Sequence, residues 1–371
     1  MFNMANDGYL SVKGLRSIGV DAHLYYVSPT HVASLVEWEE GQVDYLKLGS
    51  QDSPNMLAFK FTRPDWIHPV FNQQGNAILF TRNLLSELSD FDLIVGHYPF
   101  AQFLYHLQFQ HRIAKPYIIY EAGMLRLLDN PNHPERDVMR VYRDAPLIIY
   151  ANVDMEPLLR LHGLEKHSTY LPLPVDTDKY LPAKHENDHL VFLPPTRHYH
   201  QEKGNDRLLA AFAEYVKRNP KAELRLCDWG GEDLAASKML IYRYNLAGNV
   251  TWLPLMGKLD LIKEYQHADA VFDQYIYGAT GSVTPEALSC GKPVCTRIVP
   301  ELFRYWHGSA PPVLNAQEPH QIYEAMIQLE DKNLRERVGE EGRKWVCEQQ
   351  SLKFVAEHET DIHRKVLEAL K

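Results

Sequence analysis

The chain has no apolar run approaching the ~18 residues of a membrane-spanning helix, and its first residues carry no signal-peptide pattern. Those absences predict a protein that neither crosses a membrane nor is exported, with peripheral contact at the inner membrane face left open. Positive charge is also short: 39 Lys and Arg against 48 Asp and Glu give a formal net charge of -9. A nucleic-acid backbone is therefore an unfavourable partner, although local basic pockets for small anions are not excluded. Cysteine is scarce. Cys227, Cys290, Cys295 and Cys347 form no close metal-ligand pairs, and a chain of 371 residues needs no disulfide staples. They read as reduced thiols in a cytoplasmic protein. His198 and His200 are one residue apart, but no third ligand stands at a sensible spacing, so no metal site is expected.

What remains is ordinary for a globular protein: 45% hydrophobic and 23% charged residues, in a chain long enough for two cores. The opening is unusual for an α/β chain because no strand comes first. A helix is predicted over 6–18 with Gly19 as its stop, then a strand at 20–26. From this start the first strand of an α/β domain is expected upstream of Met1. Further strands are predicted at 43–49, 77–80, 91–98, 115–123, 145–152 and 168–175, with helices at 102–114 and 155–163. Solid β-branched and aromatic strands separated by helices argue a parallel sheet covered on both faces. The stretch 172–189 is rich in proline and charge and is the best linker candidate. Beyond it the rhythm restarts: strands at 190–195, 222–230, 250–255 and 269–275, with helices at 205–220, 236–248 and 258–268. A long amphipathic helix over 352–371 presents Val355, Ile362, Val366 and Ala369 on one face. The fold class is therefore α/β, with two doubly wound domains.

Chemistry concentrates where strands pass into helices in the second half. GATGSVTPEALSCGKPVCT (278–296) follows a strand with small residues, then a proline suited to a first helical turn. The loop glycines Gly278 and Gly281, with Ser282, leave backbone N–H groups uncovered, and Val283 and Thr284 follow at the helix start, where a phosphate or diphosphate could be held. Glu286 would then point out beside that anion. A carboxylate suits the paired hydroxyls of a ribose or hexose. A plain glycine-rich turn, with Glu286 only steadying the helix dipole, explains the same residues. A second strand–helix loop, TRHYHQEKGNDRLLAAF (196–212), carries Arg197 and Lys203, two cations suited to a diphosphate.

These elements together resemble the retaining, nucleotide-sugar-dependent glycosyltransferases of family 4, which have the GT-B fold. The resemblance covers nearly the whole chain and is densest over 190–300. Arg197, Lys203 and Gly204 match an Arg-x5-Lys-Gly loop whose side chains hold the donor diphosphate. NVTWLPLMGK (249–258) resembles the segment near the nucleotide base. Glu286 matches the second acid of a Glu-x7-Glu element and is expected to bind the ribose, with Ala287, Gly291, Pro293 and Val294 in register. The first acid is replaced by Gly278, and Asp273-Gln274 precedes the GATG loop as in a variant form of the element. In the first half, His97 matches a histidine at a strand end that faces the donor sugar across the cleft. Glu121 is a candidate sugar or acceptor contact. Asn6 lies in a stretch resembling the loop that closes over the diphosphate.

The resemblance implies two Rossmann-like domains facing across a cleft. Residues 1–178 would bind the acceptor, 186–350 the nucleotide sugar, and the helix 351–371 would cross back to the first domain. The implied reaction needs no metal or cofactor: a UDP-, GDP- or ADP-sugar donates to a carbohydrate or lipid-linked acceptor with retention of configuration. Two other readings share much of the sequence, a GT-B nucleotide-sugar epimerase or synthase and a non-catalytic nucleotide-sugar or glycan-binding protein.

Overall fold

The computed structural model describes residues 6–28, 31–71, 87–97, 116–128 and 139–369. The strand expected at 77–80 and the helix expected at 102–114 lie outside these residues. The chain divides into two compact units, Met1–Pro174 with Leu352–Lys371, and Val175–Ser351.

The first unit holds strands β1 (Leu24–Ser28), β2 (Gln42–Val43), β3 (Phe59–Lys60), β4 (Ile67–Phe71), β5 (Ile94–His97), β6 (Tyr117–Glu121), β7 (Ile148–Tyr150) and β8 (Ser168–Tyr170). Strands β5 to β8 form one parallel sheet in chain order, β1 pairs with β4 in parallel, and β2 with β3 antiparallel. The unbroken apolar runs of β6 and β7 explain their place: every residue in both strands is buried. Val355 is buried against Ile118, Tyr120 and Ile149, with Ile362 and Val366 of the same helix, Leu352–Ala369, packed beside it. The helix Asp7–Ser17 runs close to that helix, and Ser11 Oγ donates to the buried Glu359 carboxylate at 2.8 Å.

Three expectations for this unit need correction. Of the strand expected at 43–49, only the short β2 forms, because Asp44 starts a turn, accepts from the Lys47 N–H at 3.0 Å and pairs with its side chain. β8 stops at Tyr170 ahead of Pro172 and Pro174, which have no N–H to donate. β4 was not foreseen, since Pro69 in its middle argues against a strand.

The second unit contains β9 (Val191–Leu193), β10 (Glu223–Cys227), β11 (Val250–Leu253), β12 (Ala270–Phe272), β13 (Val294–Thr296) and β14 (Leu314–Asn315). They lie in the order β11-β10-β9-β12-β13-β14, all parallel. The winding direction reverses between β9 and β12, and a crevice outside the carboxyl ends of strands at such a reversal is where open α/β sheets take ligands. Phe192, Leu224 and Phe272 fill the core beneath Leu208 and Phe212 of the helix Asn205–Arg218. The proline-rich stretch behaves less like a free linker than its composition suggests. Tyr180 is buried within this unit, and its carbonyl accepts from Ser289 Oγ at 2.8 Å. Helices Pro300–His307, Pro319–Gln328 and Lys332–Gln349 complete the unit.

Candidate functional site

The reversal between β9 and β12 brings together the two loops singled out in the sequence. After β9 come Arg197, a single helical turn His200–Lys203, and Gly204, whose left-handed φ of 74° lets the chain turn straight into the helix Asn205–Arg218. After β12 come Asp273, Gln274 and the loop to the helix Val283–Ser289. A hydrogen bond ties the loops: Lys203 Nζ donates to Gln274 Oε1 at 2.8 Å. The Lys203 carbonyl also accepts from the Tyr275 N–H at 2.9 Å, and Gln274 Nε2 donates to the Ala279 carbonyl. The ammonium of Lys203 is thereby held beside Gly281, where a built Cβ would lie 3.9 Å from Nζ. Arg197 is exposed, with its guanidinium 5.4 Å from the Tyr199 ring centroid. Its stem rests on Gly230, where an added Cβ would come within 2.6 Å of Arg197 Cδ. Ser282 precedes the helix that Val283 opens. The Thr284 hydroxyl turns inward and donates to Asp273 Oδ2 at 2.7 Å. Asp273 Oδ1 is buried without a hydrogen-bond partner among the described residues.

Glu286 differs from its expected setting. It does not face solvent but is 5% exposed, with Lys258 Nζ on Oε1 and Tyr265 Oη donating to Oε2 at 2.9 Å. The Lys258–Glu286 ion pair is nearly dry on both sides, with the side chains 13% and 6% exposed. Burial, reinforced by the Glu286 charge, pushes the Tyr265 phenol well above its usual pKa, so it remains a donor. A carboxylate oxygen has two acceptor positions, so it can take more than one donor. Lys258 and Tyr265 were not singled out in the sequence, since nothing local links them to a carboxylate 28 and 21 residues away.

In the first unit, His97 ends β5, stacks on Tyr120 with centroids 4.5 Å apart, and donates through Nδ1 to Asp7 Oδ2 at 3.0 Å. Asp7 was missed although it adjoins Asn6. Asn6 is buried in a left-handed conformation with its side-chain amide 3.5 Å from the Ala33 carbonyl. His97 and Ser11 also border a cavity of about 440 Å³ that reaches Tyr25, Ile94, Glu359 and His363. Glu121 is fully buried at the end of β6. One oxygen accepts from the N–H groups of Gly123 at 2.6 Å and Leu125 at 3.1 Å, and the other from Tyr142 Oη. A carboxylate so engaged caps its own chain, so a sugar or acceptor contact at Glu121 would share it with these donors.

Among the described residues, no group of three or more His, Cys, Asp or Glu is placed to hold a metal ion. His198 instead bonds the Ser237 hydroxyl and the Cys227 carbonyl, at 2.9 and 3.0 Å, and burial lowers its pKa. No described helix is long and apolar enough to cross a membrane.

Comparison with known proteins bears on this geometry. Residues 181–345 match the family model described as glycosyl transferases group 1. The match lies within the second unit. No curated protein matches the chain significantly. Solved structures share the fold at low identity. Sucrose-phosphate synthase from Thermosynechococcus elongatus superposes with a TM-score of 0.70 at 16% identity, over 97% of this chain and 92% of that one. HepE from Anabaena in complex with UDP-glucose gives 0.66 at 14%, over 81% and 86%. A glycosyltransferase from Rickettsia africae gives 0.65 at 12%, over 99% and 95%. The fold is thus GT-B, with two Rossmann-like parallel-sheet units, and by family model and fold the chain is classed with the glycosyltransferases.

The departure at Gly278 has a packing reason. A Cβ there would sit 2.5 Å from Val299 Cγ2, and the Val299 N–H donates to the Gly278 carbonyl at 2.9 Å. A side chain there must displace the Val299 side chain. Gly278→Glu is therefore expected to destabilise the protein by about 1–3 kcal/mol, as overpacking does, rather than to restore a sugar contact. Urea denaturation checks this, and an unchanged midpoint with increased turnover would contradict it.

Proposed function

We propose that the protein is a retaining glycosyltransferase whose second unit binds a nucleoside-diphosphate sugar and whose first unit binds the acceptor. The observation that carries this reading is the Lys203–Gln274 bond at the strand-order reversal, which sets a cation beside the side-chain-free loop at Gly281. Arg197 and Lys203 would neutralise the diphosphate, with the N–H groups of Gly281, Ser282, Val283 and Thr284 as further donors. Glu286 would accept from the ribose hydroxyls. In transfer, the bond between the anomeric carbon and the diphosphate oxygen breaks, and the acceptor oxygen bonds to the same face of that carbon. The acceptor proton passes to the departing phosphate oxygen. Stabilising the charge that grows on that oxygen is the main catalytic task, and the two cations meet it.

His97, oriented by Asp7, is the first unit's proposed contribution to transfer. A carbohydrate or lipid-linked hydroxyl is the proposed acceptor, with the reaction placed in the cytoplasm, at the membrane's inner face for a lipid-linked one. All four cysteines are free, and burial raises Cys227 and Cys290 to about 12, in keeping with unreactive, reduced thiols. Incubating the protein with UDP-, GDP- and ADP-sugars in the presence of EDTA tests the reading. Release of one nucleoside diphosphate is expected, with EDTA having little effect. Tight donor binding without release or transfer would favour a non-catalytic sugar-binding protein.

A further inference from the structure

The helix Lys258–His267 has no assigned role, yet it supplies both partners of Glu286. Lys258 and Tyr265 are seven residues apart, so they share one helix face, two turns and about 10 Å apart along the axis. Lys258 opens the helix and grips Oε1, while Tyr265, fully buried, grips Oε2. A carboxylate on a side chain with three rotatable bonds is thus fixed in plane and direction by a second rigid element. Its own helix, Val283–Ser289, is seven residues long.

We propose that Tyr265 and Lys258 are positioning residues that orient the Glu286 carboxylate toward the two ribose hydroxyls of the donor nucleotide. This rests on the reading of Glu286 as the ribose acceptor. Tyr265 sets the direction of Oε2, and Lys258 keeps Oε1 turned to the helix start. A purely structural pair would stabilise the unit without changing which nucleotide it prefers. A positioning pair changes the preference for ribose over deoxyribose and leaves the affinity for the diphosphate intact.

The test is calorimetric titration of wild type, Tyr265→Phe, Lys258→Met and Lys258→Arg with UDP, GDP and ADP and with their 2′-deoxy forms. Wild type is expected to bind its preferred ribonucleotide at least tenfold tighter than the deoxy form. Tyr265→Phe, which keeps the packed ring, should cut that ratio at least threefold while leaving deoxynucleotide affinity within twofold. Lys258→Met should do the same, and Lys258→Arg should recover part of the ratio. If wild type discriminates and both Tyr265→Phe and Lys258→Met discriminate equally well, the positioning role is overturned while the ribose role of Glu286 stands. If wild type binds both nucleotides equally, the reading of Glu286 fails and takes the proposal with it.

Discussion

Lys203→Ala is expected to lower transfer more than tenfold, and Arg197→Ala to do likewise. Both side chains are assigned to the diphosphate, whose bridging oxygen gains charge as the sugar leaves, so their contacts are worth more in the transition state than in the ground state. A tenfold loss corresponds to about 1.4 kcal/mol, the lower end of a lost hydrogen bond to a charged group. The two variants should differ in their side effects. Lys203 ties the two loops through Gln274, so its removal also loosens the cradle and should raise KM as well as lower kcat. Arg197 is exposed, with its stem on Gly230 and its guanidinium near the Tyr199 ring, so its removal should leave stability nearly unchanged. Steady-state kinetics with a saturating acceptor, beside urea denaturation, separate the two. Unchanged kinetics in both variants would remove the diphosphate assignment.

Glu286→Gln should weaken nucleoside diphosphate binding about ten- to a hundredfold, the equivalent of roughly 1.5–3 kcal/mol. The amide keeps one acceptor oxygen, and its N–H₂ must face either Lys258 Nζ, which can only donate, or Tyr265 Oη, whose hydroxyl must then turn to accept. The same contacts mean the change is not silent for the fold. A solvent-facing glutamate at a helix start would contribute only about 0.3–1 kcal/mol through the dipole. Because Glu286 is buried in an ion pair, removing its charge breaks that pair, and a loss on the order of 3 kcal/mol is expected instead. Thermal melts and calorimetric titration measure the two effects on one preparation. A variant that melts lower yet binds nucleotide as tightly as wild type would leave Glu286 a structural residue.

The sequence makes some of this plain and hides the rest for physical reasons. β6, β7 and β9 are short runs buried at every residue, and strands buried on both faces have to be written that way. β4 contains a proline and β14 only two residues, so neither leaves a pattern. The helices beyond residue 300 carry start signals that went unused: Pro300, and Pro319 after a capping box of Glu318 and Gln321. In the candidate site, Arg197, Lys203 and the 278–286 loop were legible because each follows a strand at the ligand edge. Partnerships across the sheet were not. Gln274 was noted only as part of the Asp-Gln pair, and its bond to Lys203 spans 71 residues. Glu121 is a candidate contact through its loop's resemblance to the family, and the N–H groups of Gly123 and Leu125 that it caps leave no pattern in the sequence.

A crystal structure with a bound nucleoside diphosphate tests the central claim most directly. The account predicts the diphosphate at the reversal between β9 and β12, within hydrogen-bonding distance of Lys203 Nζ and the N–H groups of residues 281–284, with the ribose hydroxyls on Glu286. Nucleotide bound elsewhere would contradict it, for instance in the open groove of about 640 Å³ at the opposite strand ends, lined by His189, Arg218, Lys221 and Arg335.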